Sequence, residues 1–170
     1  MKKEYIILGI FIIAAGLYIF FRQDNQVHYT LPTIEPVAAK EIDRITITGK
    51  DKDHTPVTLK KTGDVWTVGD QEFPADPIAV TNILDQLEQF RLLALVSEKK
   101  NLDRYELSPG AGISVTAWTK DQKIRSLTIG KAAPSFNHTF VMLENTPPIY
   151  QARGNLRPVF SKSIHDLRSK

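Results

Sequence analysis

The hydrophobic positions of this chain follow two different patterns, and the first is a continuous run near the start. Residues 5–21 (YIILGIFIIAAGLYIFF) contain no charged residue. As an α-helix that rises about 1.5 Å per residue, this run is about 25 Å long, the short end of what crosses a bilayer core of about 30 Å. Because the run is apolar on every face, it does not suit an amphipathic core helix. We therefore predict a transmembrane anchor over residues 1–22.

A secretory signal peptide that is later removed is the alternative interpretation of this run. The run is longer than the usual apolar part of a signal peptide, about 7–15 residues, and no small-x-small cleavage site follows it. Lys2 and Lys3 precede the run and Arg22 follows it. By the positive-inside rule, these flanking charges place the N-terminus in the cytoplasm. The predicted localisation is a single-pass protein of the inner (cytoplasmic) membrane whose C-terminal domain is periplasmic or extracellular.

The second pattern is a series of short alternating segments, and a less regular stretch precedes it. Residues 23–40 contain Pro32 and Pro36 and show little periodicity, which is typical of a linker. Beyond residue 40, short runs alternate apolar and polar side chains as half-buried strands do, with turns rich in Gly, Asp, Lys and Pro between them. The predicted strands are 44–48, 57–59, 65–68, 92–96, 113–119, 124–129, 139–143 and 149–152.

One segment has the helical period instead. Asp76 is a good N-cap residue, and Pro77 suits the first helical position, where its missing N–H is not needed. The apolar residues that follow at three- and four-residue spacings are Val80, Ile83, Leu84, Leu87 and Phe90. Residues 98–108 suggest a short helical turn, and about the last 15 residues suit a terminal helix.

These elements together predict an α+β fold class. It comprises an N-terminal single transmembrane helix and then a largely antiparallel β-sheet domain over residues 41–170, with one main amphipathic helix and a C-terminal helix. A domain of about 130 residues is large enough to bury its own core. We expect the linker to hold this domain away from the membrane surface.

Composition and charge exclude several classes of protein. The chain has no cysteine, which excludes disulfides, thiol catalysis and Cys-based metal sites. The net charge is +3, but residues 23–152 hold 14 Lys and Arg against 17 Asp and Glu, a net of −3. A near-neutral domain does not provide the basic footprint of a nucleic-acid-binding protein.

Basic residues concentrate at the C-terminal end of the chain. They are Arg153, Arg157, Lys162, Arg168 and Lys170, with Asp166 among them. We identify these five cations as candidate contacts for an acidic partner or an anionic lipid surface. A solvated helix face is the alternative explanation.

Residues that carry chemistry do not form a known motif. The four histidines, His28, His54, His138 and His165, are far apart in sequence, so no metal site is predicted. The Gly-rich segment 108–112 lacks the Lys-Ser/Thr of a phosphate loop and is expected to be a turn. No G-x-S-x-G motif is present. We therefore predict no catalytic residue, no cofactor and no enzymatic activity.

Three further residues have a functional and a structural explanation. Asp76 is a candidate acid, but its position favours helix capping. Trp66 and Trp118 are candidates for stacking on a sugar ring, but both lie in alternating segments, which favours core packing. A cell-wall glycan or lipid binding module remains the alternative function, and an enzyme whose site is assembled from distant residues is a third hypothesis.

Several short segments, in their order along the chain, resemble a bacterial family described as domain of unknown function 4340. They are ITI (45–47), VTLKKTGDVWTV (57–68), PAD (74–76), ILDQL (83–87), LDRYELSP (102–109), LTIG (127–130), TFV (139–141), IY (149–150) and LR (167–168). The family usually shows Tyr-Gly-Leu where this chain has Tyr105-Glu106-Leu107.

The resemblance implies a single N-terminal span and an extracytoplasmic α+β domain. It also implies an association with ABC-type transport components similar to those of gliding-motility systems, and it brings no catalytic residues. Our leading hypothesis is therefore a non-enzymatic, membrane-anchored accessory subunit of a bacterial envelope complex that binds other envelope or transporter subunits.

Overall fold

The computed structural model describes residues 2–21, 29–49, 56–98, 101–144 and 146–169. The chain divides into two compact units, Met1–Thr30 and Leu31–Lys170. The smaller unit contains one helix, and the larger unit contains a β-sheet with short helices. Each unit is described by itself.

The smaller unit consists mainly of helix α1 (Lys2–Phe21), which is 20 residues long. Among the described residues, no helix combines the length and the apolar character needed to cross a membrane. The predicted transmembrane helix is therefore wrong as a part of the fold class. The uncharged run within this helix, residues 5–21, is about 25 Å long and so lies at the lower limit for a hydrocarbon core of about 30 Å, which left the prediction without a margin.

The larger unit is built on one antiparallel sheet of nine strands. The strands are β1 (Arg44–Thr48), β2 (Val57–Thr62), β3 (Val65–Val68), β4 (Phe73–Pro74), β5 (Leu92–Ser97), β6 (Ile113–Thr119), β7 (Gln122–Ala132), β8 (His138–Leu143) and β9 (Ile149–Arg153). Their order across the sheet is β4-β3-β2-β1-β6-β7-β8-β9-β5. All eight strands predicted from alternation are present. Strand β4 was not predicted, because two residues that include a proline show no alternation.

Helix α2 (Pro77–Glu88) begins where the sequence predicted it. The Asp76 side chain accepts a hydrogen bond from the Ile78 N–H at 3.0 Å, which confirms its role as the N-cap. The buried residues of the helix are Ala79, Val80, Ile83 and Leu87. Since β4 lies at one edge of the sheet and β5 at the other, α2 connects the two edges.

One face of the sheet packs on the apolar core, and the other carries mainly polar, half-buried side chains. Ile45, Val115 and Ile129 belong to a single apolar core together with the buried residues of α2. The alternate positions form rows of hydroxyl side chains on the opposite face, where Thr46 pairs with Thr58 and Thr116. An antiparallel sheet with one solvated face commonly shows this division.

The two tryptophans occupy different environments. Trp66 is half-buried and packs against the core. Trp118 is half-buried outside the core cluster, and the Arg44 guanidinium lies 4.7 Å from the centroid of its ring. Core packing, which the alternation favoured for both residues, therefore describes Trp66 and not Trp118.

The C-terminal segment forms two short helices, α3 (Arg157–Phe160) and α4 (Ile164–Leu167), where a single terminal helix was predicted. The prediction was wrong because Ser163 starts a new helix. Its side chain accepts a hydrogen bond from the Asp166 N–H, and the Asp166 carboxylate accepts one from the Ser163 N–H, which together make a capping box. Phe160 and Leu167, one in each helix, are buried.

Residues 31–38, here called the strap, belong to the larger unit and have no regular secondary structure. Val37 is buried in the core, and Leu31 and Ile34 pack against it. Just after the strap, the Ala39 N–H donates a hydrogen bond to Glu88 Oε1 at 3.2 Å. The predicted linker, residues 23–40, therefore includes a segment that packs on the core of the larger unit, while its residues 23–28 lie outside the described part of the chain.

Candidate functional site

The two edges of the sheet differ in whether another described segment of the chain covers the edge strand. At one edge, β4 is two residues long, Ala75 forms a bridge with Arg168, and the Ser169 N–H donates to the Pro74 carbonyl oxygen at 2.8 Å. The C-terminal segment thus covers this edge. At the other edge, β5 is six residues long, and in the part of the chain that the structure describes it pairs with β9 alone. An edge strand of this kind offers unpaired backbone groups to another strand.

Strand β5 (LLALVS) is uncharged and partly accessible. Leu93 is 43% exposed, whereas Leu92 and Leu95 pack against the core. The register with β9 shifts between Leu92 and Ala94 and again between Leu95 and Ser97. Such irregularities twist an edge and limit indiscriminate association, but they leave the strand without the charges or prolines that usually block pairing.

A groove lies at the start of β5. Its volume is about 180 Å³, and it is lined by Leu31, Pro32 and Ile34 of the strap together with Phe90, Arg91 and Leu92. Leu92 belongs both to the groove and to the edge strand. Because four of the six lining residues have large aliphatic or aromatic side chains, the groove offers mainly apolar contact.

A buried arginine lies next to residues of this groove. Arg125 of β7 is 7% exposed, its guanidinium carbon lies 5.4 Å from the Phe90 ring centroid, and its Nη2 donates to the Glu35 carbonyl oxygen at 2.5 Å. Its Nη1 is buried and has no hydrogen-bond partner within the described residues. Burial lowers the pKa of the Arg125 guanidinium, and the charge of Glu35 opposes that shift. An unpaired buried donor of a charged group is energetically costly.

Two exposed arginines add positive charge at the same end of β5. Arg91 and Arg153 are both exposed, and the Arg153 N–H donates to the Arg91 carbonyl oxygen at 3.0 Å. Of the cations proposed from sequence as partner contacts, Arg153 therefore lies beside the open edge. Arg91 was not identified from sequence, because it is a single charge between a helix and a strand.

The remaining predicted cations lie elsewhere. Arg157 is half-buried, and it donates to the Glu106 carboxylate and to the Ala111 carbonyl oxygen, the latter at 2.7 Å. Arg168 is exposed, and its guanidinium carbon lies 4.2 Å from the Phe73 ring centroid. Lys162 is half-buried. Of the five predicted cations, the four that the structure describes therefore differ in their surroundings and do not line one common groove.

The other predicted positions lie in helix α1 or outside the described residues. Lys2 and Lys3 belong to α1, and Arg22 and Lys170 lie outside the described residues. The candidate role of these residues stays a prediction.

A second cleft, of about 450 Å³, lies beside the closed edge. It is lined by Asp76, His165, Asp166, Arg168 and Ser169. Two of these groups are already engaged, since Asp76 caps α2 and Asp166 completes the capping box of α4. Hydrogen bonds from Ser163 hold the pKa of the Asp166 carboxyl below its ordinary value. The cleft mixes both charge signs and offers no clear class of ligand.

The described residues contain no cluster of three or more His, Cys, Asp or Glu side chains suited to a metal ion. His138 Nδ1 lies 3.2 Å from the Ser135 hydroxyl, and His165 lines the C-terminal cleft. His28 and His54 lie outside the described residues. Residues 108–112 form a turn, as the sequence predicted.

Sequence analysis did not identify Arg125 or the groove. One signal was present, because Arg125 shares its side of β7 with Leu127 and Ile129, which are both buried. A charged residue in an otherwise apolar series along a strand indicates a buried charge with a specific role. The groove itself had no sequence signal, since it joins the strap to residues about 60 positions later in the chain.

Comparison with known proteins gives one match. The model of the family described as domain of unknown function (DUF4340) matches residues 66–170. This range includes α2, the open edge strand and both arginines beside it. No curated protein and no solved structure matches the chain.

Proposed function

The chain belongs to the DUF4340 family, and we propose that its larger unit is a non-enzymatic partner-binding domain. In this proposal the protein is an accessory subunit of a bacterial envelope complex associated with an ABC-type transport or assembly system. The observation that carries the binding role is the open, uncharged edge strand β5. The association with transport rests on the resemblance of the sequence segments described above. The position of the domain outside the cytoplasm remains a prediction.

The contrast between the two edge strands, β5 and β4, supports this role. The C-terminal segment covers β4, whereas β5 keeps one side without a described strand. A segment of another protein that adds to such an edge gains main-chain hydrogen bonds, and pockets for its side chains give specificity. The groove beside Leu92 is a pocket of this kind.

A charge introduced on β5 tests the proposal. The full chain and the variant Leu93→Lys are purified with an affinity tag from the source bacterium under gentle detergent conditions, and bound proteins are identified by mass spectrometry. Val65→Lys is the matched control, because Val65 is an apolar residue of β3 that is 59% exposed and lies away from β5. We expect defined partners with the wild type and with Val65→Lys and their loss with Leu93→Lys. Recovery of monomer alone from all three, or equal recovery of the partners with Leu93→Lys, contradicts the proposal.

A glycan-binding role is the second candidate, and the position of Trp118 favours it. The ring lies outside the core on the polar face of the sheet, beside the rows of threonine and serine hydroxyls. An aromatic ring flanked by hydroxyl donors suits stacking against a sugar. Sedimentation of the protein with purified cell-wall glycan tests this role, with Trp118→Ala as the variant and Trp66→Phe as the control. Equal sedimentation of wild type and Trp118→Ala contradicts it.

A further inference from the structure

We propose that β5 and the groove at its start bind an extended segment of a partner protein, and that one acidic side chain of this segment pairs with Arg125. The inference rests on the proposed partner-binding function and names the chemistry of the partner. It requires a segment that adds to the open edge as an antiparallel or parallel strand and carries a carboxylate near the start of β5.

The unpaired donor of Arg125 is the first reason for a carboxylate. Arg125 is more than nine-tenths buried, and its Nη1 lacks a hydrogen-bond partner in the described chain. Its Nη2 is already bound to the Glu35 carbonyl oxygen. A guanidinium presents its donors as a planar fork that matches a carboxylate, so an incoming carboxylate satisfies the free end.

The surroundings of Arg125 connect it with the groove. Phe90, which lies against the guanidinium, also lines the groove. On the other side, Ile34 lines the groove and precedes Glu35, whose backbone binds Arg125. A side chain that enters between Ile34 and Phe90 therefore passes the residues that hold the guanidinium. Arg125 does not itself line the groove, so in this proposal the Phe90 ring moves away from the guanidinium when the carboxylate binds.

The continuity of the groove with β5 is the reason for an extended segment. Leu92 lines the groove and is the first residue of the edge strand. In a strand, successive side chains alternate between two sides and rise about 3.3 Å per residue. One residue of an added strand can therefore occupy the groove while its neighbours continue along β5 as far as Val96. A groove of about 180 Å³ is smaller than most small-molecule sites, which measure about 300–1,000 Å³, and it suits a single side chain.

The exposed charges at the two ends of β5 also favour a segment whose acidic residue lies near the groove. Arg91 and Arg153 lie at the groove end of β5, and Glu98 is exposed just beyond its other end. A segment with an acidic residue at one end and a basic or neutral residue at the other matches this arrangement. Such surface charges act mainly on the rate and specificity of association. The buried Arg125 contributes the selectivity for a carboxylate, because an unpaired partner there is costly.

Short synthetic peptides test the inference on the full chain. One set has alternating Thr and Val with a single Glu at a different position in each peptide, and the matched set has Gln in place of Glu. Dissociation constants come from fluorescence anisotropy, and backbone amide NMR shifts report whether residues 92–96 are contacted. We expect the best Glu peptide to bind about tenfold more tightly than its Gln twin, as a charge-assisted hydrogen bond at a buried site allows.

Variants of the chain distinguish the pairing of the acidic side chain with Arg125 from the binding of the segment along β5. Arg125→Met should bring the Glu-to-Gln ratio close to one, and Leu93→Lys should weaken both peptides. Arg125→Lys keeps a buried charge and serves if the methionine variant does not fold. It should lower the ratio, since a lysine lacks the planar fork. Arg104→Ala is the control for a change of surface charge elsewhere, and it should leave the ratio unchanged.

Two results overturn the inference. The pairing with Arg125 is rejected if the Glu and Gln peptides bind the wild type with nearly equal affinity. It is also rejected if the preference for the Glu peptide is unchanged in both Arg125 variants. If these results occur while Leu93→Lys still abolishes the native complex, the proposed partner-binding function stands and the partner chemistry is different. If Leu93→Lys leaves the native complex intact, the proposed function itself fails, whatever the peptides show.

Discussion

Arg157 at the start of α3 forms an ion pair with Glu106, in the turn that precedes β6. One nitrogen of the guanidinium donates to the Glu106 carboxylate, and the other donates to the Ala111 carbonyl oxygen. Glu106 itself has a left-handed backbone, with a φ of 54°. The pair therefore fastens the C-terminal segment to a turn whose backbone is strained for a residue with a side chain.

Loss of the arginine should weaken the larger unit. Arg157→Ala removes two charge-assisted hydrogen bonds at a half-buried position, and we expect the free energy of unfolding to fall by about 1–2 kcal/mol. Urea denaturation followed by circular dichroism measures this change. The exposed Arg153 supplies the control, since Arg153→Ala should change stability by less than about 0.5 kcal/mol. Equal effects of both substitutions would show that the ion pair contributes nothing.

The backbone of Glu106 allows a second prediction about the same turn. Glu106→Ala loses the ion pair and keeps the strained φ, whereas Glu106→Gly loses the pair but relieves the strain. We therefore expect the glycine variant to be more stable than the alanine variant by about 1 kcal/mol, since glycine adopts positive φ without a steric penalty. Thermal unfolding of the two variants side by side measures the difference. A glycine variant less stable than the alanine variant would show that the positive φ of Glu106 does not strain the backbone.

Gly130 of β7 should not tolerate a side chain. A Cβ atom at this position would lie 2.2 Å from the Tyr105 carbonyl oxygen and 3.0 Å from the Leu107 side chain. Gly130→Ala forces the backbone apart, and overpacking of this kind costs about 1–3 kcal/mol or more. Gly49→Ala is the control, because no atom of the described residues lies within 4 Å of its added Cβ. A calorimetric scan should show a lower Tm for the first variant alone.

The capping box of α4 predicts a pH-dependent effect. Hydrogen bonds from Ser163 lower the pKa of Asp166 below its unfolded value, so the stabilisation is present above that unfolded value, near pH 4. It is lost as the pH falls through the lower, folded pKa. Ser163→Ala should return the pKa of Asp166 toward its ordinary value. A carboxyl NMR titration of both proteins measures the shift, and an identical pKa in the two would contradict the role of the serine.

The strands and α2 could be predicted from the sequence because each has a strong local signal. Alternation along β1 and β6 reports the division between a buried apolar face and a more accessible polar face, and Asp76-Pro77 marks the start of α2 directly. These signals act within one element. They do not depend on which distant segment packs against them, so the sequence alone is sufficient.

Features that depend on distant contacts could not be predicted. Leu156 to Leu167 look like one amphipathic stretch, but the break at Ser163 is decided by a hydrogen bond between its hydroxyl and the Asp166 backbone. The groove depends on the strap packing beside Phe90, and the open edge depends on the order of the strands. The order itself is set by long-range packing, for which single residues give no signal.

The order of the strands also has a consequence for the synthesis of the chain. Strand β5 pairs with β9, and Leu92 and Ala152 face each other across 60 positions of sequence. A ribosome must therefore add all residues between β5 and the end of β9 before β5 can pair with β9. Contacts of such wide separation form late and slowly. A chain that stops before β9 would present LLALVS to other nascent chains with no partner strand, so the synthesis of β9 protects β5 from association.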